Sequence, residues 1–273
     1  MPPVRRQLAP SEAEDLLANL MRAGVSPPLI EDVSFPPRVE WQPRGVEGAT
    51  FRRVSFDGPV IAGPLFRRGS LCGCVFHQVD FGGLRVRKVD FLDCRFEQCS
   101  LGHRHLGIVE DSTFVDCSII GGRLDHVTFL RSIFRATVID GVKAATLRWD
   151  GCTLEDMKVA GVFDGATFVR STLRRADFSA AELRDSAILD GIGADVQLPD
   201  RPSNFAVPPS VLARAESDLR ERLDAQALDT YKRLAKAYAQ LGPSVIISEE
   251  LFAELESRER QLVLGTLYEL RKG

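Results

Sequence analysis

Residues 49–106 read ATFRR VSFDG PVIAG PLFRR GSLCG CVFHQ VDFGG LRVRK VDFLD CRFEQ CSLGH RHL. The third place of each five is apolar and large: Phe51, Phe56, Ile61, Phe66, Leu71, Phe76, Phe81, Val86, Phe91, Phe96, Leu101, Leu106. The first place is smaller and includes Ala49, Val54, Cys74, Val79, Val89, Cys94 and Cys99. A period of five fits neither the 3.6 of a helix nor the 2 of a flat strand. It describes a coil made of short straight sides and corners, each side turning two side chains inward and three outward. One coil alone buries almost nothing, so coils must stack on one another. The small first place follows from the narrow interior, which two large residues per side would overpack.

The period runs to about residue 190 with two changes of frame. After Leu106 the large residues are Phe114, Ile119, Leu124, Phe129, Phe134 and Ile139, then Leu154 and Val159. The break at 107–113 reads as a removal of residues relative to the frame, without a projecting loop. After Val159 the series restarts one residue early at Phe163 and continues Phe168, Leu173, Phe178, Leu183, Ile188. Between the breaks, 141–160 is irregular. Ala144 and Trp149 stand at large places, Leu147 and Met157 at small ones. Trp149 is bulky for an interior rung, which leaves two readings: a locally widened coil, or an outward-turned interface anchor.

These units resemble the pentapeptide-repeat family, whose pattern is A-(D/N)-L-x-x; ATFVR STLRR ADFSA AELRD SAILD at 166–190 is the clearest run. The resemblance covers roughly 49–190, about half the chain. It implies a mainly β fold: a right-handed quadrilateral β-helix of about seven coils, four units to the coil. Interior columns with one member per coil follow, among them Phe56, Phe76 and Phe96, and later Phe168, Leu173, Phe178 and Leu183 line successive sides.

Outside the repeats, 1–48 reads as an N-terminal helix, with a capping box of Ser11 and Glu14, followed by a Pro-rich connector. Residues 191–209 read as a linker. Residues 210–273 read as a C-terminal helical module of three helices, the last starting near Ser248. TYKRLAKAYAQLG…LFAELESRER is similar to the tail of some bacterial members of the same family. An open β-helix end exposes unpaired backbone and needs a cap. Three helices exceed that need, so capping with self-association as a homodimer is expected.

The 273 residues contain no apolar run long enough to span a membrane and no signal-peptide core at the start, so the reading is cytoplasmic. Five of the six cysteines, Cys74, Cys94, Cys99, Cys117 and Cys152, fall on the small inward series and read as core, with Cys72 pointing outward. Phosphate-loop, dinucleotide, zinc-protease and nucleophile-elbow motifs are absent. His103 and His105 would need a third ligand that the sequence does not supply. No catalytic residue, cofactor or metal is expected, and the chain reads as a non-enzyme.

Charge then separates the binding readings. Net charge is −3, with nine Lys/Arg against five Asp/Glu in 49–106 and ten against thirteen in 107–190. That balance is too small for direct nucleic-acid binding. The family resemblance implies a protein partner, DNA gyrase or topoisomerase IV, and protection from a topoisomerase poison, in some members by mimicry of duplex DNA. An acidic stripe along one face of 107–190 would favour that; a mixed surface favours a general protein-interaction scaffold. The candidate interface residues are Trp149, Asp150, Glu155, Asp156, Arg67 and Arg68.

Overall fold

The computed structural model describes residues 5–22, 29–37, 46–58, 65–102, 105–189, 192–193, 195–240, 242 and 244–272. Its centre is a four-sided β-solenoid in which each five-residue unit forms one side. The first face stacks Ile30, Phe51, Leu71, Phe91, Phe114, Phe134, Leu154 and Leu173 in eight parallel strands. The second stacks Phe35, Phe56, Phe76, Phe96, Ile119, Ile139 and Val159. The third carries Phe81, Leu101, Leu124, Ala144, Phe163 and Leu183, joined early by single bridges and later by strand pairing. The fourth stacks Val46, Phe66, Val86, Val109, Phe129, Trp149, Phe168 and Ile188. Eight first-face strands make seven coil-to-coil steps, or roughly 34 Å at about 4.8 Å per step.

Interior aromatics form the expected columns. Ring centroids of Phe35, Phe56, Phe76 and Phe96 follow one another at 4.7, 4.9 and 4.9 Å, with planes within 8°. Phe91, Phe114 and Phe134 repeat this at 4.5 and 4.7 Å. Each such side chain, fully buried, contributes about 1.5–3 kcal/mol. Phe168, Leu173, Phe178 and Leu183 are also fully buried. Ile61 lies outside the described residues.

The small inward residues satisfy the corners. The Ser132 hydroxyl donates to Leu130 O at 3.0 Å and accepts from Ser112 N at 3.2 Å. Ser171 does the same between Val169 O and Cys152 N. Cys74, Cys94 and Cys117 occupy the equivalent column at the next corner, each Sγ directed at a carbonyl of the coil before. At Gly122 an added Cβ would stand 2.1 Å from Cys99 O, and φ is +78°, so only glycine fits.

The two frame changes have distinct forms. Phe66 pairs with Val86, a step of four regular units, but Val86 then pairs with Val109 and Phe91 with Phe114, each three places beyond such a step. Three residues are therefore added between Leu101 and Val109; the break is a small insertion, not the removal read from the sequence. Leu106, expected inward, is half-exposed on it, and Val109 takes its place in the column. The second change is a one-residue deletion. Ile139 pairs with Val159, but Val142 pairs with Gly161, and the register slips between them.

The ladder extends past both ends of the repeats. Leu29–Glu31 and Val33–Phe35 pair with Thr50–Arg52 and Ser55–Asp57, so part of the Pro-rich segment forms a first coil. Ile192 and Gln197 bridge to Leu173 and Asp177 at the other end. Helix α1 (Pro10–Arg22) starts with its proline in the first turn, and Glu12, not Glu14, closes back on the N–H of Ala9 at 2.9 Å. Its Ala13 is buried in the solenoid core.

The C-terminal module is not all helical. Ser244–Ser248 forms a strand antiparallel to the last fourth-face rung, Ala187–Ile188, and Asn204–Val207 adds a further antiparallel strand. Helices α2 (Pro209–Leu219), α3 (Ala225–Tyr238) and α4 (Ser257–Arg271) pack a second core against this pair. The strand alternation divides the two cores: Ile246 faces the solenoid, Val245 and Ile247 the helices. Ser244–Ser248 is taken by the sheet, a 3-10 turn follows at Glu249–Phe252, and the third helix itself begins at Ser257.

Candidate interaction surface

Two places after most inward large residues the chain turns a corner with positive φ. Seventeen non-glycine residues among those described sit there, at φ between 41° and 56°. L-residues reach this region at a cost of about 1–2 kcal/mol. The turn aims each corner N–H along the rod, where it donates to a carbonyl of the next coil: Arg53 to Cys72 O, Arg131 to Asp150 O, Gln78 to Glu97 O. Corner positions thus line the rod's edges in fixed register.

This register produces a recurring charge motif. A corner arginine reaches back to one or both carboxylates at the matching corner of the coil before and the place preceding it. Arg53 holds Glu31 at 2.7 Å and Asp32 at 2.6 Å. Arg131 holds Asp111 at 2.8 Å and also Glu110. Arg175 holds Glu155 at 2.7 Å and Asp156 at 2.6 Å. Arg170 holds Asp150 at 2.5 Å, and Arg68 holds Glu47 at 3.1 Å. The arginines keep several of these acids below the usual carboxylate range: Arg53 does so for Asp32, Arg131 for Asp111, Arg148 with Arg170 for Asp150, and Arg175 for both Glu155 and Asp156.

The six sequence candidates divide accordingly. Trp149 is wholly buried, stacked at 4.4 Å on Phe168 and at 5.9 Å on Phe129. It is a core residue and not an interface anchor, because Ala144 on the adjoining side leaves the volume it fills. Asp150 is nearly buried between Arg148 and Arg170. Glu155 lies between Arg135 and Arg175, and Asp156 is held by Arg175. Arg67 and Arg68 are exposed on the fourth face, four coils from Asp150. Together with Arg87, Lys88 and Glu47 they line a concavity of about 130 Å³. Arg87 and Lys88 follow Arg67 and Arg68 by one full coil, so this cluster was available from the repeat length.

Acids of 107–190 outside these arginine pairs do not form a stripe. Asp116 sits at a first-face corner, Asp140 on the second face, Asp164 on the third and Asp185 at the next corner, while Asp125 and Glu182 are held by Arg123 and Arg184 and Asp177 accepts from Ser179 N. The exposed surface is mixed in charge. Histidines are likewise dispersed. His77 Nδ1 meets Asp57 at 2.7 Å and His126 Nδ1 meets Thr146 at 2.6 Å, while His103 lies outside the described residues. Among the described residues no three His, Cys, Asp or Glu gather in a metal-binding arrangement, and no helix is long and apolar enough to cross a membrane. Cys72 is the one partly exposed thiol among the described residues. Burial pushes Cys99 up to about 12 and Cys152 up to about 11.

The chain is a β-solenoid of five-residue units, the architecture that the pentapeptide-repeat resemblance implies. No family model and no curated protein matches the sequence. Among solved structures it is similar to a trypsin-treated form of QnrB1, described as a plasmid-mediated fluoroquinolone resistance protein. The identity is 14% and the TM-score 0.40, over 64% of this chain and 86% of that one. It is also similar to HetL, described as a pentapeptide repeat protein involved in heterocyst differentiation regulation, from the cyanobacterium Nostoc. There the identity is 12% and the TM-score 0.23, over 70% and 97% of the two chains. At these values neither likeness bears on function.

Proposed function

We propose that this chain is a non-enzymatic protein-binding scaffold, a stiff rod that offers rows of outward side chains to a macromolecular partner. The observation that carries this reading is the mixed, register-locked charge surface. Many of its acids are drawn into coil-to-coil arginine pairs, and the others are dispersed over several faces instead of forming the continuous acidic face a duplex mimic needs. DNA gyrase and topoisomerase IV are the partners that the family resemblance implies, and they are the first to test. In a supercoiling assay with a topoisomerase poison, micromolar protein is expected neither to inhibit nor to rescue the enzyme. Rescue would return the chain to the topoisomerase-protection reading.

The C-terminal module adds self-association to this proposal. Helix α4 carries Gly265 on its outer side, where an added Cβ would meet nothing, beside a groove of about 700 Å³ lined by Leu262, Tyr268 and Glu269. A mid-helix glycine costs about 1 kcal/mol relative to alanine, and it permits close approach of a second helix. Sedimentation of the full chain is expected to show a dimer, and Gly265→Arg a monomer. A monomeric parent chain would remove self-association from the proposal.

A further inference from the structure

We infer that the fourth-face groove of Arg67, Arg68, Arg87 and Lys88 is a docking site for carboxylate side chains of an acidic protein segment. The argument rests on a break in the corner rule. Arg53, Arg131 and Arg175 each find two carboxylates, at the matching corner one coil back and the place before it, and Arg170 and Arg68 each find one. Lys88 occupies the same left-handed corner, at φ 56°. One coil back, the places that should hold its acids are Arg67 and Arg68.

The result is a stack of like charge. Arg87 pairs in register with Arg67, about 4.8 Å away along the rod. Like charges directly opposite destabilise a sheet. Arg67 and Lys88 make no ion pair within 4.0 Å among the described residues, and both are exposed. Arg68 and Arg87 are shared with single carboxylates at the borders, Glu47 at 3.1 Å and Glu110 at 3.4 Å. Elsewhere the rod supplies the acid from its own chain; here it leaves the position cationic. A carboxylate entering the groove completes the motif, and the planar arginine forks suit it in a bidentate manner.

The borders also decide the kind of partner. Glu47 lies one coil before Arg67, and Glu110 with Asp111 one coil after Arg87. The positive stretch therefore spans two coils, or about 5 Å between Arg67 and Arg87. That matches one or two acidic side chains and is too short to follow a nucleic-acid backbone, whose binding relies on many phosphate contacts. This inference deepens the protein-binding proposal and rests on it only for the source of the carboxylates. It stands or falls independently of the topoisomerase assay and of the dimer.

The test uses the full chain and a fluorescein-labelled hexaglutamate peptide, followed by anisotropy at low salt. The wild-type chain is expected to bind. Arg67→Glu, which puts an acid where the motif lacks one, is expected to weaken binding at least about tenfold, roughly the loss of one charge-assisted pair. It is also expected to raise the melting temperature, since Lys88 and Arg87 gain an internal partner. Arg67→Ala is expected to weaken binding less, without the added pair. Arg95→Glu, the same change of net charge on the second face, is expected to leave binding nearly unchanged. Failure of the wild-type chain to bind, or equal losses from Arg67→Glu and Arg95→Glu, would overturn the inference. So would a short DNA duplex binding more tightly than the peptide.

Discussion

Trp149 shows how one residue is placed by its neighbours on other sides of the coil. It stands where a phenylalanine-sized rung is usual, and it fits because Ala144 on the preceding side is small. Leu147 and Met157 complete the same coil, both fully buried at places where Val127 and Thr137 stand one coil earlier. Trp149→Ala is expected to cost about 3–5 kcal/mol, as for other buried aromatics. Adding Ala144→Leu should recover part of that loss; urea unfolding of the single and double variants measures both. The indole Nε1 has no hydrogen-bond partner, which makes the rung's contribution one of packing. From sequence, Trp149 was readable only as an anomaly. Whether it turned in or out depended on Ala144, one unit earlier, lying across a corner from it.

At the level of elements, the C-terminal end of the solenoid is closed by sheet as well as by helix. The antiparallel pair Ser244–Ser248 and Asn204–Val207 continues the fourth face in the reverse sense, so its last rung is not an open edge. The third face ends differently. Asn204 is buried, and its side-chain amide takes the place of a further strand: Leu183 N donates to Oδ1 at 3.0 Å and Nδ2 donates to Leu183 O at 2.7 Å. Asn204→Leu leaves both backbone groups of Leu183 unmet, at about 1–3 kcal/mol for each. Asn204→Asp keeps one acceptor but sets a carboxylate against the Leu183 carbonyl. Near neutral pH it is expected to be markedly less stable than the parent chain, and to recover partly when protonated. Chemical unfolding at two pH values separates the two variants. Neither strand was legible beforehand, because SVIIS alone fits a helix start or a strand, and only the open edge beside it selects strand.

Across the whole rod, the arginine–carboxylate motif links coil to coil and sets a pH response. Asp32, Asp111, Asp150, Glu155 and Asp156 have their carboxyls lowered by arginine partners. Groups lowered in the folded state contribute stability that is complete above their unfolded values, about 3.9 for Asp and 4.3 for Glu. That contribution is lost as pH falls through the lower folded values. The urea midpoint is therefore expected to be flat, so far as these groups decide it, from about pH 5 to 7, and to fall below about pH 4. Added salt should shrink the effect, since most of these pairs are exposed. A midpoint independent of pH down to about 3 would show that the pairs contribute little.

The five-residue period settled the interior nearly rung by rung, because an inward side chain in a narrow stacked coil has few alternatives of size or polarity. It also contained the repeat length that puts Arg87 and Lys88 over Arg67 and Arg68. Three features depended on the folded chain: the sign of the insertion before Val109, the inward turn of Trp149, and the sheet that closes the C-terminal end. Each depends on contacts between residues that the period does not relate. A corner has room for the added residues, a small side chain on the adjoining side makes space, and the unpaired edge at Ala187–Ile188 recruits the distant strand Ser244–Ser248. Outward side chains are free of the interior's constraint. Their meaning appears only when stacking shows which corner cations find acids on the coil before and which, at Lys88, find arginines there.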